Sequence, residues 1–199
     1  RFTAKKYSNY VTGIDLTKEY IDTGKVLSAW VGLDKRITLQ QASALSMPFA
    51  DESFDGGLMM HVGMNIEDKS KLFQEIYRVL KPGTHFGVYD IMRNNGGGLL
   101  YPVPWAAAES TSRLAAPDQY KQAMSDAGFR VSSENSRRNF PLAFFEELRA
   151  KSEAAGGPPP LGLHTLMQDN APIKIKNMID NIAADFSFSL HLVPLLHVS

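Results

Sequence analysis

The sequence predicts an α/β fold with a parallel sheet, and three observations lead to this prediction. Strand-like and helix-like stretches alternate along most of the 199 residues. The runs Phe54–His61 and Thr84–Met92 have the length and apolar content of buried strands. Between them lies a segment with the apolar spacing of an amphipathic helix, so we expect these two strands to be parallel neighbours.

The first forty residues divide at ordinary start and stop signals. Phe2–Tyr7 is typical of the end of a helix, and Tyr10–Asp15 of a short buried strand that ends in an acid. Thr17 is placed to cap a helix that runs to about Val31. The apolar residues expected on one face of this helix are Tyr20, Ile21, Leu27, Trp30 and Val31. Arg36–Gln41 alternates between apolar and polar residues, which predicts a strand.

The middle of the chain has a similar pattern. Asp68 is predicted to start a helix that ends at Lys81–Gly83. Its apolar residues, at helical spacing, are Leu72, Phe73, Ile76, Val79 and Leu80. Pro117 suits the first position of a helix that closes at Gly128, and the strand Phe129–Ser133 is expected to follow.

The last third is predicted to be mainly helical. A helix is expected over about Pro141–Ala154, and more helix through Ala184. An alternating run near the end predicts a last strand that Pro194 stops. Neither an internal repeat nor a linker of biased composition is visible, so the prediction is a single domain over residues 1–199 with a helical insert at about 141–185.

Composition excludes several classes of function. The 21 Lys and Arg residues balance 21 Asp and Glu residues, which argues against nucleic acid or an anionic membrane as the main partner. No cysteine is present, and the five histidines are scattered without ligand spacing, so no metal site is expected. No apolar run approaches the roughly 20 residues of a membrane span, and the first residues do not look like a signal peptide. We therefore expect a cytoplasmic protein.

The acid at the end of the first predicted strand has two interpretations. In an open α/β sheet, a carboxylate at the carboxyl end of a strand is placed to accept hydrogen bonds from ribose hydroxyls. An acid just before a helix also acts as a cap and a partner of the helix dipole. The sequence alone leaves both roles open for Asp15.

Three segments carry a resemblance to a known family. Leu45–Asp55 reads LSMPFADESFD, Glu75–Gly83 reads EIYRVLKPG, and Gly13–Asp15 ends the first predicted strand. In this order they resemble the "LPF-D-SFD" segment, the "E-x-x-R-V-L-K-P-G" helix end and the second-strand acid of class I S-adenosylmethionine-dependent methyltransferases. The chain is most similar to the small-molecule branch of the ubiquinone/menaquinone and sarcosine/dimethylglycine type. Further segments that resemble this branch are Val11–Tyr20, His61–Ile66, Tyr101–Trp105 and Gly156–Met167.

The resemblance implies a three-layer, Rossmann-like sheet that lacks its first strand. Arg1–Tyr7 is similar to the middle of the helix that follows the family's Gly-rich loop, so the chain is expected to begin after that loop. Because the loop cradles the methionine part of the cofactor, we expect cofactor binding to be weakened. Ala42-Ser43 also stands where relatives often carry Gly-Asp.

The resemblance also implies roles for individual residues. Asp15 would hold the ribose of S-adenosylmethionine, and Leu16 would pack beside the adenine. The adenine pocket and the sulfonium would be lined by Ser43, Ala44, His61 and Met64. The acceptor side would be lined by Tyr101, Trp105 and His164. His61 is the predicted catalytic residue, because an imidazole can take a proton from the acceptor.

The function predicted from these residues is methyl transfer from S-adenosylmethionine to a small amine, phenol or quinone-like acceptor, which leaves S-adenosylhomocysteine. One alternative is a non-catalytic remnant of the fold that does not hold the cofactor. A second is a nicotinamide-dependent dehydrogenase, which also uses an acid after the second strand but needs a Gly-x-Gly-x-x-Gly loop that is not visible here.

A homo-oligomer is also predicted. In the family the first strand lies mid-sheet between two others, and it buries side chains worth about 1.5–3 kcal/mol each. A sheet without it must either pair the strand ending at Asp15 directly with Phe54–His61 or cover the gap with a second chain. We expect the second solution, because direct pairing would displace the helices packed on both faces of the sheet.

Overall fold

The computed structural model describes residues 1–94, 97–167 and 170–196. The helices are α1 (Phe2–Tyr7), α2 (Lys18–Trp30), α3 (Lys69–Val79), α4 (Pro117–Asp126), α5 (Asn139–Ala154), α6 (Leu163–Met167) and α7 (Ala171–Ala183). The strands are β1 (Val11–Asp15), β2 (Ile37–Gln41), β3 (Gly57–Met60), β4 (Phe86–Arg93), β5 (Phe129–Ser136) and β6 (Ser187–Leu196). The predicted alternation of strands and helices is confirmed.

The strands form two separate sheets. Strands β1 and β2 pair in parallel, and the other four strands follow the order β3-β4-β6-β5. Strands β3 and β4 are parallel neighbours, as predicted, whereas β6 runs antiparallel to β4 and β5. In the part of the chain that the structure describes, no ladder joins β1 to β3. Direct pairing of these two strands, one of the two expected solutions, does not occur.

The four-stranded sheet has helices on both faces, which gives three layers. Val88 and Met92 of β4 point to one face, where they pack with Leu72 and Phe73 of α3 and Tyr120 of α4. The opposite face of β4 packs through Ile91 against α7 and part of α5, in a second cluster that includes Met64, Met178 and Ile182. Side chains at successive positions of a strand point to opposite faces, so β4 supplies both cores.

Helix α3 is fixed at both ends by the residues that the sequence indicated. The Asp68 carboxylate accepts the backbone N–H of Lys71 at 2.8 Å, which is an N-cap bond. Near the other end, the Arg78 guanidinium donates to both carboxylate oxygens of Glu75 at 2.7 and 2.9 Å. It also donates to Asp51 and to the carbonyls of Phe49 and Met47, and so ties the loop between β2 and β3 to the helix.

Strands β3, β5 and β6 depart most from their predicted bounds, and β5 runs to Ser136 rather than Ser133. Strand β3 covers Gly57–Met60 rather than Phe54–His61, and it ends before His61 because that residue takes a left-handed φ of 54°. Strand β6 does not stop at Pro194 but continues to Leu196. Proline has no N–H to donate, and the register of β5 shifts between Val131 and Ser133 opposite this position, so the irregular ladder accommodates it.

The predicted apolar face of α2 is wrong. Of its five residues, Ile21 is buried, whereas Tyr20 and Trp30 are 60% and 77% exposed. The buried side of α2 is formed by Ile21 and Ser28, with Gly24 between them. A Cβ on Gly24 would lie 2.6 Å from Leu39 of β2, so the helix approaches the small sheet through its smallest residues.

We predict that Leu72→Ala destabilises the protein by about 2–5 kcal/mol, because Leu72 is fully buried and truncation leaves a cavity. The matched control is Leu161→Ala, at a leucine that is 81% exposed, and it should change the free energy of unfolding by less than about 0.5 kcal/mol. Urea denaturation of both variants measures the difference. Equal effects of the two substitutions would contradict the assignment of the core to α3.

Candidate functional site

The four residues predicted nearest the adenosine lie together at one edge of the small sheet. Strands β1 and β2 are parallel, with Asp15 opposite Gln41, so both strands end at the same edge. The Asp15 carbonyl accepts the N–H of Ala42 at 3.1 Å, and the Gln41 side chain donates to the Leu16 carbonyl at 2.8 Å. Leu16 is thus held beside the turn that carries Ser43 and Ala44.

The structure shows one of the two roles that the sequence left open for Asp15, that of ordering the start of α2. Its Oδ1 accepts the backbone N–H of Thr17 at 2.8 Å and so orders the entry to α2, where the Thr17 side chain makes no capping bond. Thr17 stands at the N-cap position, as predicted, but the hydrogen bond that orders this end of the helix comes from the Asp15 carboxylate. Oδ2 of Asp15 makes no hydrogen bond within the described residues, and the side chain is half-buried. This oxygen is available to a ligand hydroxyl.

The surroundings of Asp15 suit a flat aromatic ring with polar edges. Leu16 is 66% exposed, so an apolar side chain stands open to a ligand next to the carboxylate. The Ser43 hydroxyl accepts the N–H of Leu45 at 3.2 Å and retains its own proton for donation. Ala44 packs on the main core and so anchors this turn.

His61 lies at the carboxyl end of β3, in the larger sheet. The backbone N–H of His61 donates to the Tyr89 carbonyl at 2.8 Å, and the backbone carbonyl of His61 accepts from the Asn65 side chain at 3.3 Å. The imidazole is exposed and meets the Tyr89 ring edge to face, with 5.0 Å between centroids. Partial desolvation lowers the pKa of His61 below its usual value, so the ring is mainly neutral at pH 7.

Met64 follows His61 in a short 3-10 turn, Gly63–Asn65, and points into the second core. Trp105 packs against the same cluster, and its indole N–H is buried without a partner among the described residues. The structure therefore brings Met64 and Trp105 to one cluster.

Tyr101 and Trp105 belong to a loop that helix α7 holds in place. Asn181 both donates to and accepts from the backbone of Leu100, at 3.0 and 2.8 Å. Asn177 donates to the Pro102 carbonyl at 3.0 Å. His164 lies on the short helix α6, which packs against α7, and no hydrogen bond in the described ranges joins it to Tyr101 or Trp105.

A sequence model described as "Methyltransferase domain" matches residues 1–88. Two curated relatives illustrate the range of sequence identity and coverage. The ubiquinone/menaquinone biosynthesis C-methyltransferase UbiE of Geotalea daltonii is 41% identical over 73 residues, which are 37% of this chain and 31% of that protein. The O-methyltransferase resE of Aspergillus sclerotiorum is 27% identical over 156 residues, 75% of this chain and 58% of that protein. The chain thus spans less than two thirds of either relative.

Solved structures are similar over nearly the whole chain. A putative sarcosine dimethylglycine methyltransferase of Galdieria sulphuraria aligns with a TM-score of 0.79 at 18% identity, covering 99% of this chain and 73% of that one. The chain has the class I methyltransferase fold. Geranyl diphosphate C-methyltransferase of Streptomyces coelicolor, in complex with Mg²⁺, geranyl diphosphate and S-adenosyl-L-homocysteine, gives 0.77 at 17% identity, over 98% and 65% of the chains. The predicted resemblance to this class is confirmed, and the dehydrogenase alternative gains no support from these comparisons.

Two further properties of this methyltransferase fold bear on the site. Within the three described ranges, no helix combines the length and apolar character that crossing a membrane requires. In the same ranges, no three His, Asp or Glu side chains are grouped in a way that could hold a metal ion.

Sequence reasoning missed one part of the site, a buried acid beneath the turn that follows His61. Asp90 of β4 is fully buried, and its Oδ2 accepts the N–H of Met64 and the hydroxyl of Tyr120, both at 3.0 Å. Oδ1 is buried and has no hydrogen-bond partner among the described residues. The available signal was an acid inside the otherwise apolar run Phe86–Met92.

Lys69 is a buried cation whose charge acts on this acid. Its ammonium donates to the carbonyls of Ile66 and, at 3.0 Å, Arg113, and lies 5.3 Å from the centre of the Tyr120 ring. Burial lowers the pKa of Lys69 to about 8, although the charge of Asp90 opposes this shift. Burial raises the pKa of Asp90 to about 7, against the opposing effects of Tyr120, Met64 and Lys69.

We predict a pH-dependent stability difference between the protein and its Asp90→Asn variant. Because burial raises the pKa of Asp90 above its usual 3.8, the folded protein binds this proton more tightly than the unfolded chain does. The resulting stabilisation is complete below about pH 4 and is lost as the pH rises to about 7, with an upper limit of about 4 kcal/mol.

Asparagine does not titrate, so the stability of the wild type relative to the variant should fall across this pH interval. Urea denaturation between pH 4 and 8 measures both free energies of unfolding. Parallel curves for the two proteins would show that Asp90 has the same pKa folded and unfolded.

Proposed function

We propose that this chain binds S-adenosylmethionine at the carboxyl edge of β1 and β2 and transfers its methyl group to a small molecule. The observation that carries this proposal is the cluster of Asp15, Leu16, Ser43 and Ala44 at that edge, within the class I methyltransferase fold. The solved structures that share the fold at low identity support the fold alone. The assignment of ligand and residues is the proposal.

The residues at this edge fit an adenosine group. The free Oδ2 of Asp15 would accept from a ribose hydroxyl while Oδ1 keeps its bond to Thr17. The exposed Leu16 side chain would cover one face of the adenine, and the Ser43 hydroxyl would donate to the ring edge. When bound, the cofactor supplies an electrophilic methyl group on a sulfonium, whose departure from sulfur needs no proton.

The contribution of the protein is then alignment, exclusion of water and handling of the acceptor's proton. His61 is our candidate for the last task, because its lowered pKa keeps the imidazole neutral at pH 7 and able to accept a proton. A phenol or an ammonium acceptor would lose its proton to the imidazole nitrogen. A neutral amine would need only positioning.

The acceptor would lie on the side formed by the second core. Met64 and Trp105 meet there, and α7 fixes the loop with Tyr101 and Trp105 through Asn177 and Asn181. These side chains are apolar or aromatic, so they favour an amine, phenol or quinone-like acceptor with an apolar body. We assign His164 to the acceptor as a further contact, because its helix α6 packs against α7.

We also propose that two copies of the chain associate through the open edges of the sheets. Strands β1 and β3 each have one partner in the described residues, and Leu58 and Met60 of β3 are 56% and 54% exposed. Large apolar side chains are also exposed along the first segments of the chain: Phe2, Tyr7, Tyr10, Leu16, Tyr20, Trp30 and Val31. The uncharged edge of β3, together with these exposed apolar groups, favours pairing with a second copy.

Asp15→Ala should weaken binding of S-adenosylhomocysteine by about 1.5–3 kcal/mol, the scale of hydrogen bonds to a charged group. Asp15→Asn keeps an acceptor for Thr17 and tests whether the loss reflects folding. Asp34→Ala, an exposed acid at the opposite end of β2, is the matched control and should bind like the wild type.

Isothermal titration with S-adenosylmethionine, S-adenosylhomocysteine and NAD measures these affinities and separates the three functions considered. Binding of NAD alone would favour a dehydrogenase. Binding of none of the three compounds would favour a non-catalytic remnant. An unchanged affinity in Asp15→Ala would remove Asp15 from the site.

Light scattering over a dilution series should show a species larger than the 22.0 kDa chain, because in the proposed association a second copy covers the open edge of β3. Met60→Lys places a charge on that edge and should shift the equilibrium towards the monomer. Leu161→Lys, at a leucine far more exposed than Met60, should leave the mass unchanged. A monomer at all concentrations would contradict the proposed association.

A further inference from the structure

The turn that carries His61 and Met64 rests directly on the Asp90 carboxylate. Oδ2 accepts the N–H of Met64 at 3.0 Å, and the N–H of Gly63 also interacts with this carboxylate. These are the first amides of a 3-10 turn, which have no partners within the turn itself. The Tyr120 hydroxyl donates to the same oxygen from α4, at 3.0 Å.

The fit between turn and carboxylate leaves no room for a side chain at Gly63. A Cβ there would lie 2.6 Å from Asp90 Oδ2 and 2.7 Å from the end of Met59. Gly63 therefore allows the backbone to approach the acid closely, and the acid in turn fixes the height of the turn above the sheet.

A carboxylate at this position is costly for packing alone. Asp90 is fully buried on the strand that supplies Val88 and Met92 to the main core, and Oδ1 has no partner within the described residues. An apolar residue would fill the space without that desolvation cost. What an apolar residue could not do is accept the amides of the turn.

We propose that Asp90 is a positioning residue, which holds the backbone of Gly63 and Met64 and thereby sets where His61 and Met64 stand relative to the bound cofactor and acceptor. The effect on ligands rests on the proposed function, since the positions of His61 and Met64 matter only if ligands bind beside them. The contact between Asp90 and the turn does not depend on the proposed function.

The hydrogen bonds from the turn to Asp90 should be stronger when the carboxylate is ionised, because charge-assisted hydrogen bonds are stronger than neutral ones. The titratable groups around Asp90 are Lys69 of α3, Tyr120 of α4 and, beyond the turn, His61. On β6 the residue opposite Asp90 is Leu190, which does not titrate. Because His61 also titrates, the share of any pH effect due to Asp90 is the share that disappears in Asp90→Asn.

The experiment compares wild type, Asp90→Asn and Tyr120→Phe, with Tyr77→Phe as the matched control. Tyr77 packs in the same core against Phe129. The first measurement is the amide-exchange protection of Gly63 and Met64, read by NMR at pH 6 and pH 8 relative to the amide of Leu72. The second is the affinity for S-adenosylhomocysteine at both pH values.

At pH 8 we expect Asp90→Asn to lower the protection of the Met64 amide about tenfold, because a neutral acceptor replaces a charged one. Affinity should fall about three- to tenfold at pH 8 and less at pH 6. Tyr120→Phe should act in the same direction, and Tyr77→Phe should change neither the protection nor the pH profile.

Two results would overturn the proposal. One is a general loss of stability in Asp90→Asn with unchanged protection of Gly63 and Met64 relative to Leu72, which would make Asp90 a packing residue only. The other is altered protection with an affinity that keeps the wild-type pH profile, which would show that the turn does not position the ligand. If the wild type itself binds no S-adenosylhomocysteine, the proposed function fails, and amide exchange alone then decides whether Asp90 holds the turn.

Discussion

One guanidinium connects the two halves of this fold. No ladder joins β1 to β3 in the described chain, so the loop between β2 and β3 is the covalent link between the sheets. Arg78 fixes that loop through the carbonyls of Met47 and Phe49 and the carboxylate of Asp51. Glu75 orients the guanidinium from one turn earlier and accepts the N–H of Met47 at 2.7 Å.

The electrostatics of this cluster explain how the loop stays fixed. The hydrogen bonds from Arg78 lower the pKa of Glu75 and outweigh its partial burial, so the acid remains ionised over the physiological range. The planar guanidinium serves two carboxylates and two carbonyls at once, which the single ammonium of a lysine does not match. The segment Glu75–Gly83, which resembles the family's helix end, therefore serves to fix this loop. The loop begins beside Ser43 and Ala44.

The sequence predicted the parts of the fold that local signals determine. Helix α3 follows from its 3.6-residue apolar period and the Asp68 cap, and β4 from its apolar run, because each pattern lies within one element. The inner side of α2 was predicted wrongly because aromatic residues suggested the buried face, whereas close approach to β2 requires Gly24 there. Pro194 predicts a strand end from the local sequence, whereas the shifted register that accommodates it belongs to β5, a strand far away along the chain.

In the candidate site, too, residues marked by local sequence signals could be predicted, whereas contacts between distant segments could not. Asp15 and His61 could be found because Asp15 ends one strand, His61 follows another, and both match family segments. Asp90 could not be placed, because its function depends on partners from a turn 26 residues earlier and a helix 30 residues later. A buried acid is recognisable as unusual within an apolar strand, but its hydrogen-bond donors are known only once the chain is folded.

The exposed methionine on the edge of β3 makes this surface chemically distinct. The chain has eight methionines and no cysteine, so thioethers are the only sulfur atoms that oxidants can attack. Those that are buried and shielded are Met59, Met64, Met92, Met124 and Met178. Met60 is the one most open to peroxide among the methionines whose exposure the structure describes. A sulfoxide at Met60, the last residue of β3, would place a polar group on the strand edge where we propose that two copies meet, so oxidation of the separate chains would act against their association.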